Sequence, residues 1–317
     1  MSTRAVAVSV VALTIAGALM YVASQNVIVM NLLGVMSYER TLDRYDQSDT
    51  TTAEVIAGVS ASGKRASLLS AFFGLDDRLP SGASRIACEG AGDNDGMPVI
   101  FSHEVDVDTI EPGDFGVVSA SGAKGDVVCL TMAPADDVGE LRTALLVGQF
   151  GSINDQPETV EVVGHILSKD QTVNFKGTQV RVTPLEAGPR LVNAEIVHPD
   201  EWNLGSPGSG FRWGGGTGCP VGTEQIVRVT WEGGVTKPEG GDPDDKERVL
   251  YEVTVADPDT GEVTTQPFAL GDLHDNDNNH KLCLDTPHPA THVAFPAGYL
   301  TDPRDDLNPA TEIDVTP

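Results

Sequence analysis

The sequence predicts an all-β protein with two β-sandwich domains, which follow an N-terminal signal or anchor segment and a short helical neck. Glycine and proline are abundant, with 34 and 20 residues, whereas aromatic residues make up only 5% of the chain. This composition suits short strands joined by turns better than long helices. From about residue 78 onwards, short β-branched runs alternate with Gly, Pro, Asp and Asn, which is the pattern of strands and turns.

The chain is strongly acidic. Its 317 residues include 47 Asp and Glu against 20 Lys and Arg, a net charge of -27. Nucleic acid is excluded as a partner, because a phosphate backbone is bound by Lys and Arg. An anionic membrane surface is disfavoured for the same reason. An apolar content of 40% is enough for a packed core, and the length fits about two domains.

Residues 1–24 are predicted to be a signal peptide or a membrane anchor. Arg4 precedes the apolar run Ala5–Ala23 and is the only charged residue before Glu39. A positive residue ahead of an apolar run is typical of an export signal. The run is nearly long enough to span a bilayer, so cleavage and anchoring both stay open. Both predict an exported chain that is extracellular, periplasmic or at the cell surface, with membrane contact only through this segment if it is uncleaved.

Residues 25–77 form the predicted neck, which is partly helical. Two stretches, Thr51–Val59 and Ala66–Leu75, carry clustered apolar residues. The second stretch can bury Leu68 and Phe72 on one side of a helix, which is why we expect a helix there.

Two β-domains are expected after the neck. The first spans residues 78–204, and a Gly-rich linker over residues 205–222 joins it to an acidic β-domain over residues 223–317. Composition alone marks the linker as a loop. Seven strands are predicted in the first domain and five in the second: Val99–Phe101, Phe115–Val118, Val127–Met132, Thr143–Val147, Val160–Ile166, Thr178–Val182, Leu191–Val197, Gln225–Trp231, Val249–Val255, Val263–Phe268, His292–Phe295 and Ile313–Val315.

The four cysteines are predicted to form two disulfides. Cys88, Cys129, Cys219 and Cys283 contain no C-x-x-C pair, which argues against a zinc knuckle or a thioredoxin-like motif. An even number in an exported chain favours disulfides. Of the three pairings, Cys88–Cys129 with Cys219–Cys283 is favoured, because each bridge then closes one half of the chain.

The stretch 98–118, with the sequence PVIFSHEVDVDTIEPGDFGVV, resembles bacterial Ig-like domains of secreted and surface proteins. Those domains open with an apolar strand ending in Phe-Ser, continue with an acidic turn, and follow with a second apolar strand. The resemblance covers about residues 85–150 and implies a sandwich fold, but it transfers no catalytic residue. The residues that carry it are Phe101, Ser102, Val105, Asp106, Thr109, Ile110, Asp114, Phe115 and Val117.

A calcium site is predicted in the acidic stretch 272–285. Asp275, Asp277 and Asn279 alternate, and oxygen side chains at such spacing can converge on one hard cation. The stretch resembles the opening of calcium-binding loops of the EF-hand and thrombospondin types. Asp272 and Asp285 are the expected additional ligands. Calcium is therefore the expected cofactor, and a solvated Asx-rich turn is the alternative.

Two histidines in the same stretch offer a different metal. His274 and His280, with acids between them, have the ligand types that zinc or copper prefers. His280 also stands where an EF-hand loop has glycine, and Thr286 stands where it has a bidentate Glu.

The candidate catalytic cluster is His103 with Glu104 and Asp106, an imidazole beside two carboxyl groups. Ser102 precedes it, but adjacent residues in a strand point to opposite faces, so Ser102 and His103 are not expected to pair. No G-x-S-x-G motif is present.

Three large aromatics lie in or beside the Gly-rich linker: Trp202, Phe211 and Trp213. Exposed aromatics on a loop can stack on a sugar or anchor a protein. The alternative is that they pack the junction between the two domains.

These observations predict an exported binding or structural protein at the cell surface or outside the cell, stabilised by calcium. A protein or glycan is the expected ligand. The alternative is a secreted hydrolase that uses a carboxylate, a histidine or a metal. A second alternative is a self-assembling subunit of an extracellular filament or surface layer.

Overall fold

The computed structural model describes residues 65–210 and 215–317. The predicted signal or anchor segment, the predicted helix over Thr51–Val59, and the aromatics Phe211 and Trp213 lie outside these residues. Within the part of the chain that is described, no helix is both long and apolar enough to cross a bilayer.

The first domain is a closed barrel of seven strands in the order β1-β2-β5-β4-β3-β6-β7. All neighbouring strands are antiparallel except β1 and β7, which pair in parallel and close the barrel. Its interior is filled by apolar side chains from every strand. The strands are β1 (Leu68–Phe72), β2 (Asp95–Phe101), β3 (Phe115–Ser119), β4 (Lys124–Thr131), β5 (Thr143–Gln149), β6 (Pro157–Val162) and β7 (Gln179–Thr183).

The strand order of the barrel can be compared with the predicted Ig-like domain. Strands β1-β2-β5-β4 and β3-β6-β7 follow the A-B-E-D and C-F-G orders of constant-type Ig sheets. Phe101 and Phe115 both face the core as expected, with ring centroids 6.3 Å apart. Asp106 and Thr109 both hydrogen-bond the turn, at 3.2 Å and 2.8 Å. The Ig-like relationship itself stays a prediction.

The predicted helix over Ala66–Leu75 is wrong, because Leu68–Phe72 forms β1. Ala71 and Phe73 belong to the barrel core, and Phe72 is equally buried. A strand that is buried on both faces shows no alternation, so its apolar run cannot be distinguished from a buried helix by periodicity.

The second domain is a sandwich of two four-stranded sheets, β11-β10-β14-β15 and β12-β13-β9-β8. Both sheets contribute to one core around Trp231, Tyr251 and Phe295. The strands are β8 (Leu191–Ile196), β9 (Gln225–Trp231), β10 (Glu252–Asp257), β11 (Gly261–Thr265), β12 (Ala269–Gly271), β13 (Asn279–Leu284), β14 (Ala290–Phe295) and β15 (Thr311–Asp314).

The helices of the described residues are short. They are α1 (Ala83–Ile86), α2 (Asp245–Arg248) and three single-turn 3-10 helices at Val107–Thr109, Pro112–Asp114 and Pro199–Glu201. The all-β prediction is therefore confirmed, and each of the twelve predicted strands overlaps an observed one.

The Gly-rich stretch 205–222 is not where the chain passes between the two domains. Strand β8 precedes this stretch, yet it pairs with β9 of the sandwich. The crossing lies instead between β7 and β8. Residues 215–222 of the Gly-rich stretch lie against the sheet that the stretch was expected to precede, as the contacts of Thr217 and Cys219 show. Composition predicted an irregular stretch correctly, but it carries no information about strand pairing.

Both predicted disulfides are confirmed. Cys88 pairs with Cys129, with Cα atoms 6.4 Å apart, and Cys219 pairs with Cys283, with Cα atoms 5.7 Å apart. The first bridge fixes the segment that follows α1 onto β4. The second fixes the Gly-rich stretch onto β13. The barrel and the sandwich both belong to one compact unit of the chain.

Candidate functional site

A buried group of charged residues lies where the sandwich meets the barrel. Three residues stand side by side on adjacent strands, with Glu195 on β8 opposite Arg228 on β9, and Arg228 opposite Lys281 on β13. We call Glu195, Arg228 and Lys281 the charged row. The loop over residues 137–142, which joins β4 to β5 of the barrel, lies against this row.

Arg228 makes the principal contacts between the two domains. Its guanidinium donates to the carbonyl oxygens of Gly139 at 2.9 Å and Val138 at 2.8 Å. It also donates to Glu195 at 3.2 Å, and Glu195 accepts a second hydrogen bond from Arg142 of the barrel at 2.6 Å. Gly139 has φ +88°, and any side chain there would collide with the guanidinium. Glycine is thus favoured at this position for two reasons: it adopts the positive φ without strain, and it leaves room for the guanidinium.

Glu140 of the barrel loop lies between the two cations of the charged row. Its Oε1 is 3.7 Å from Nε of Arg228 and 3.5 Å from Nζ of Lys281. Like charges on directly opposed residues of a sheet repel each other. The Glu140 carboxyl group lies between the two cations and offsets this repulsion. Its side chain is fully buried.

Asp272 completes the group from the turn after β12. Its φ of +60° lies in the left-handed region, and its Oδ1 accepts a hydrogen bond from Nζ of Lys281 at 2.7 Å. Among the described residues, no N–H or hydroxyl group donates to either oxygen of Glu140 or to Oδ2 of Asp272. The charges of Arg228 and Lys281 beside Glu140 offset only part of this cost, because buried oxygens without a hydrogen-bond donor are destabilising.

The pKa values of Glu140 and Asp272 are shifted in opposite directions. Burial raises the pKa of Glu140 well above its usual range, and its hydrogen bond to Asp272 adds to the rise. Burial opposes ionisation of Asp272 too, but that hydrogen bond and the charge of Lys281 hold its pKa below the ordinary value. Glu140 is thus the weaker acid of the two.

The predicted calcium ligands do not converge as a set. The carboxylate of Asp277 already accepts two hydrogen bonds from Asn279. One comes from the backbone N–H group and one from the side-chain amide, each at 2.8 Å. Asn279 itself begins β13 and accepts from the Thr230 hydroxyl group at 2.8 Å. Asp285 is exposed and follows the opposite end of β13. Asp285 is therefore wrongly placed in the predicted ligand set, because the stretch contains a strand instead of one continuous loop.

A different trio of acids is better placed for a cation. Asp137, Glu140 and Asp272 can bring one carboxylate oxygen each within 4.8 Å of one another. The ammonium of Lys281 already lies within 4 Å of two of the three carboxyl groups, those of Glu140 and Asp272. A divalent cation would have to tolerate this positive charge beside it, which opposes binding.

Asp275 is a buried acid whose pKa is raised towards neutrality. Burial raises its pKa from 3.8 to about 7, and the charge of Asp272 adds to the rise. The backbone of Gly216 packs so closely on its carboxylate that any side chain there would collide with it. Asp275 is thus confined between the turn after β12 and the Gly-rich stretch.

Stability is expected to fall as the pH rises through the pKa of Asp275. The folded protein binds a proton that the unfolded chain has released, so this stabilisation is present below 3.8 and is lost by about 7. The unfolding temperature should be higher at about pH 5 than at about pH 8, and Asp275→Asn should reduce the difference. Asp285→Asn, at an exposed acid, is the matched control. An equal pH dependence in both variants would contradict this assignment.

An open pocket of about 300 Å³ adjoins Lys281 of the charged row. Asp137, Asp200, Glu201, Trp202 and Lys281 are among its lining residues. The indole N–H of Trp202 donates to the Val197 carbonyl at 3.0 Å, and the ring packs beside the Cys219–Cys283 bridge. Trp202 is thus a half-buried wall of the pocket that packs within the sandwich domain and not at the junction between the domains.

The two histidines of the acidic stretch do not share a site. His280 is buried, its Nδ1 lies 2.7 Å from the hydroxyl group of Tyr251, and burial lowers its pKa to about 4. His274 is exposed and contacts Asp242 at 2.8 Å. They face different surroundings because His280 belongs to β13 and His274 to the turn before it.

The candidate catalytic cluster is dispersed. Ser102 and His103 lie 2.9 Å apart, Oγ to Nδ1, so the expectation that they cannot pair is wrong. Strand β2 ends before them, and the alternation rule does not apply in a bend. Glu104 pairs with Lys169 at 3.0 Å, and Asp106 caps the single-turn helix that follows it. Each acid therefore has a structural partner of its own.

Sequence reasoning missed Glu140, Glu195, Arg228 and Lys281. One signal for them was present: Arg228 is a charged residue in the middle of the otherwise strand-like run QIVRVTW. A charge in a strand buried on both faces requires a buried partner. The partner's identity depends on the docking of two domains, which no local pattern encodes.

Comparisons with known proteins give only distant structural likeness. No family model matches the chain, and no curated protein matches its sequence. One match is the crystal structure of the N-terminal part of the bacterial S-layer protein SbsC. It covers 81% of this chain and 45% of the SbsC chain, at a TM-score of 0.26 and 9% identity. A second match, the S-layer protein rSbsC(31-844), covers 80% of this chain and 41% of its own chain, at a TM-score of 0.27 and 11% identity. The chain spans less than half the length of either structure, and no function is transferred from this likeness.

Proposed function

We propose that the protein is an exported structural or binding protein of the cell surface or its surroundings, in which barrel and sandwich are held as one rigid unit. The observation that carries this proposal is Arg228, a residue of the sandwich that is almost fully buried while it binds two backbone carbonyls of the barrel. A buried charge with specific partners fixes the relative placement of the parts it joins.

A buried acid, Glu232, also joins the two domains. Glu232 of the sandwich accepts hydrogen bonds from Ser70 at 3.3 Å and Thr183 at 2.8 Å, which belong to β1 and β7 of the barrel. Asn278 adds a contact to Thr143 of β5 at 3.2 Å. Polar contacts are thus spread across the junction, and separation of the domains would break all three of them. Such an arrangement suits a load-bearing or spacing role better than a hinge.

Export is supported by the two disulfides and by the charge. Disulfides persist in oxidising compartments outside the cytoplasm. A net charge of -27 keeps a chain soluble where it is crowded at a surface. A protein or glycan ligand would bind in the Trp202-lined pocket. Self-assembly would use β11, an exposed edge strand whose backbone groups can pair with another chain.

Fractionation of a bacterial host that produces the full chain tests this proposal. We expect the chain in the secreted or surface fraction with no free thiol, and in the cytoplasmic fraction when residues 1–24 are deleted. Cytoplasmic full-length chain with four free thiols would contradict export.

Calcium stabilisation remains a proposal with one observation for it and one against it. The trio Asp137, Glu140 and Asp272 favours a cation, whereas Lys281 opposes one. We therefore expect millimolar calcium to raise the unfolding temperature only slightly relative to EDTA, and to raise it more in Lys281→Met. Lys237→Met, which removes an ion pair with the half-exposed Asp244, is the control. A large calcium effect in the unmodified chain, unchanged by Lys281→Met, would place the ion elsewhere.

A further inference from the structure

The edge strand β11 is open to solvent along its length. In the described part of the chain it pairs with β10 alone, and its residues Gly261–Thr265 are exposed or half-buried. The backbone N–H and C=O groups on the outer side of an edge strand are free to pair with another chain. We propose that β11 pairs antiparallel with β11 of a second copy of this chain, so that two four-stranded sheets join into one. This pairing rests on the proposed self-assembly and names its partner.

The other edges of the sandwich are covered. Strands β8 and β15 meet at one side, where the backbones of Ala194 and Ile196 exchange hydrogen bonds with Thr316, at 2.9 Å each. The edge of β12 is bordered by the Gly-rich stretch, since the Thr217 carbonyl accepts from the N–H group of Asp272 at 2.7 Å. The barrel is closed. Among the described residues, β11 is therefore the edge strand left open to a second chain.

β11 also lacks the features that usually prevent pairing between edge strands. Such strands are protected by lysine, proline, a bulge or an inward-pointing charge. The sequence of β11 is GEVTT, and it pairs with β10 over its whole length without a register shift. Its one charged residue, Glu262, lies opposite Ala256 on the outer face of the sheet. The strand is therefore a regular template for a further strand.

Val263 gives this edge an apolar contact surface. It lies opposite Val255 of the sandwich core, so its side chain is on the core side of the sheet. No strand lies beyond β11 in the described sheet, and 40% of Val263 remains exposed. Phe268, in the connection from β11 to β12, is 38% exposed. Pairing of two copies would remove apolar surface at this edge from water, which favours association.

A register centred on Val263 suits both copies equally. In a twofold antiparallel pair, Val263 then lies opposite Val263 of the second copy, and Glu262 lies opposite Thr264. No two carboxylates are directly opposed, and the Thr264 hydroxyl group can donate to Glu262 across the pair. A register centred on Glu262 would oppose two carboxylates and is disfavoured for that reason.

The contact is short, so association should be weak. A pairing of five residues buries less surface than a standard protein interface of about 1,600 Å². Each copy also carries a net charge of -27, and repulsion between the copies opposes contact until salt screens it. Association should therefore need a high protein concentration and should increase with salt. A chain concentrated at a cell surface would meet the first of these conditions.

Sedimentation equilibrium of the purified full chain, with its disulfides intact, tests the proposal. At concentrations up to about 1 mM, the mass should rise from that of one chain towards that of two, and it should rise further between about 0.05 M and 0.5 M NaCl. Val263→Glu should stay a single chain, because it places two carboxylates opposite each other. Val118→Glu, at a barrel valine that is 39% exposed, adds the same charge elsewhere and should associate like the unmodified chain.

Three results of this experiment would overturn the proposal. They are a mass of one chain under all conditions, association that persists in Val263→Glu, and association that weakens as salt is added. The second would place the contact elsewhere in the chain. The third would mean that attraction between opposite charges joins the copies instead of strand pairing.

A cysteine cross-link tests the register. All four native cysteines form the two bridges, so one added cysteine is the only free thiol. Val263→Cys should form a covalent dimer under mild oxidation, because directly opposed Cβ atoms lie about 4.5–5.5 Å apart. Thr265→Cys is displaced by four residues, or about 13 Å, from its counterpart and should stay monomeric. A cross-link in Thr265→Cys but not in Val263→Cys would overturn pairing centred on Val263.

Failure of this pairing can be distinguished from failure of the proposed function. An exported chain that stays monomeric would overturn the pairing of β11 and leave the surface role standing. A cytoplasmic chain that associates through β11 would confirm the pairing and contradict export.

Discussion

Replacement of Arg228 by methionine is expected to lower the free energy of unfolding by about 3–5 kcal/mol, because it removes one partner of a buried ionic network. Glu195 would lose its neighbour across the sheet, and the carbonyls of Val138 and Gly139 would lose their donor. Since these carbonyls belong to the barrel, the two domains should also uncouple. Urea denaturation followed by fluorescence should show a lower midpoint and a broadened or divided transition.

The control for Arg228→Met is Arg181→Met. Arg181 pairs with Glu158 at 3.1 Å, but its side chain is 82% exposed, so its loss should change stability by less than about 1 kcal/mol. Equal effects of the two variants would mean that Arg228 contributes no more than a surface ion pair does, and our account of the junction would be wrong.

Removal of the Cys219–Cys283 bridge should cost about 4 kcal/mol, which is the chain-entropy value for a loop of this length. The double variant Cys219→Ala/Cys283→Ala frees the Gly-rich stretch from β13. The cover over Lys281 and Asp275 should loosen, so amide hydrogen exchange should quicken there as well. Calorimetry under non-reducing conditions measures the loss in unfolding temperature.

The other bridge serves as the comparison. Cys88→Ala/Cys129→Ala opens a loop of 41 residues and should cost a similar free energy without loosening the charged row. A strong reductant opens both bridges, so the reduced unmodified chain should unfold at a lower temperature than either variant does without reductant. An unfolding temperature that is the same in all three proteins without reductant would show that the bridges do not constrain the unfolded chain.

Local patterns were sufficient for most of the fold. Strands with one buried face, such as β10 with alternating Val253 and Val255, carry the period-two signal and were predicted from it. Strands β1 and β13 are buried on both faces and lack that signal. β1 therefore resembled a helix in sequence, and β13 was taken for part of an ion-binding loop.

The candidate site was predicted only in part, for a physical reason. Asp272, Asp275 and Asp277 were recognised because acids at short spacing are conspicuous in sequence. Glu140 is separated from Asp272 by more than a hundred residues, and it reaches Lys281 only because the barrel loop docks on the sandwich. Side chains that meet through domain packing leave no spacing pattern for a motif to describe.

The central claim is that barrel and sandwich are one rigid unit, joined by Arg228 and Glu140. Differential scanning calorimetry of the exported full chain, with its disulfides intact, tests this most directly. Our account predicts a single transition whose calorimetric and van't Hoff enthalpies agree for the described unit as a whole. Two separate transitions in the unmodified chain, neither of them shifted by Arg228→Met, would contradict it.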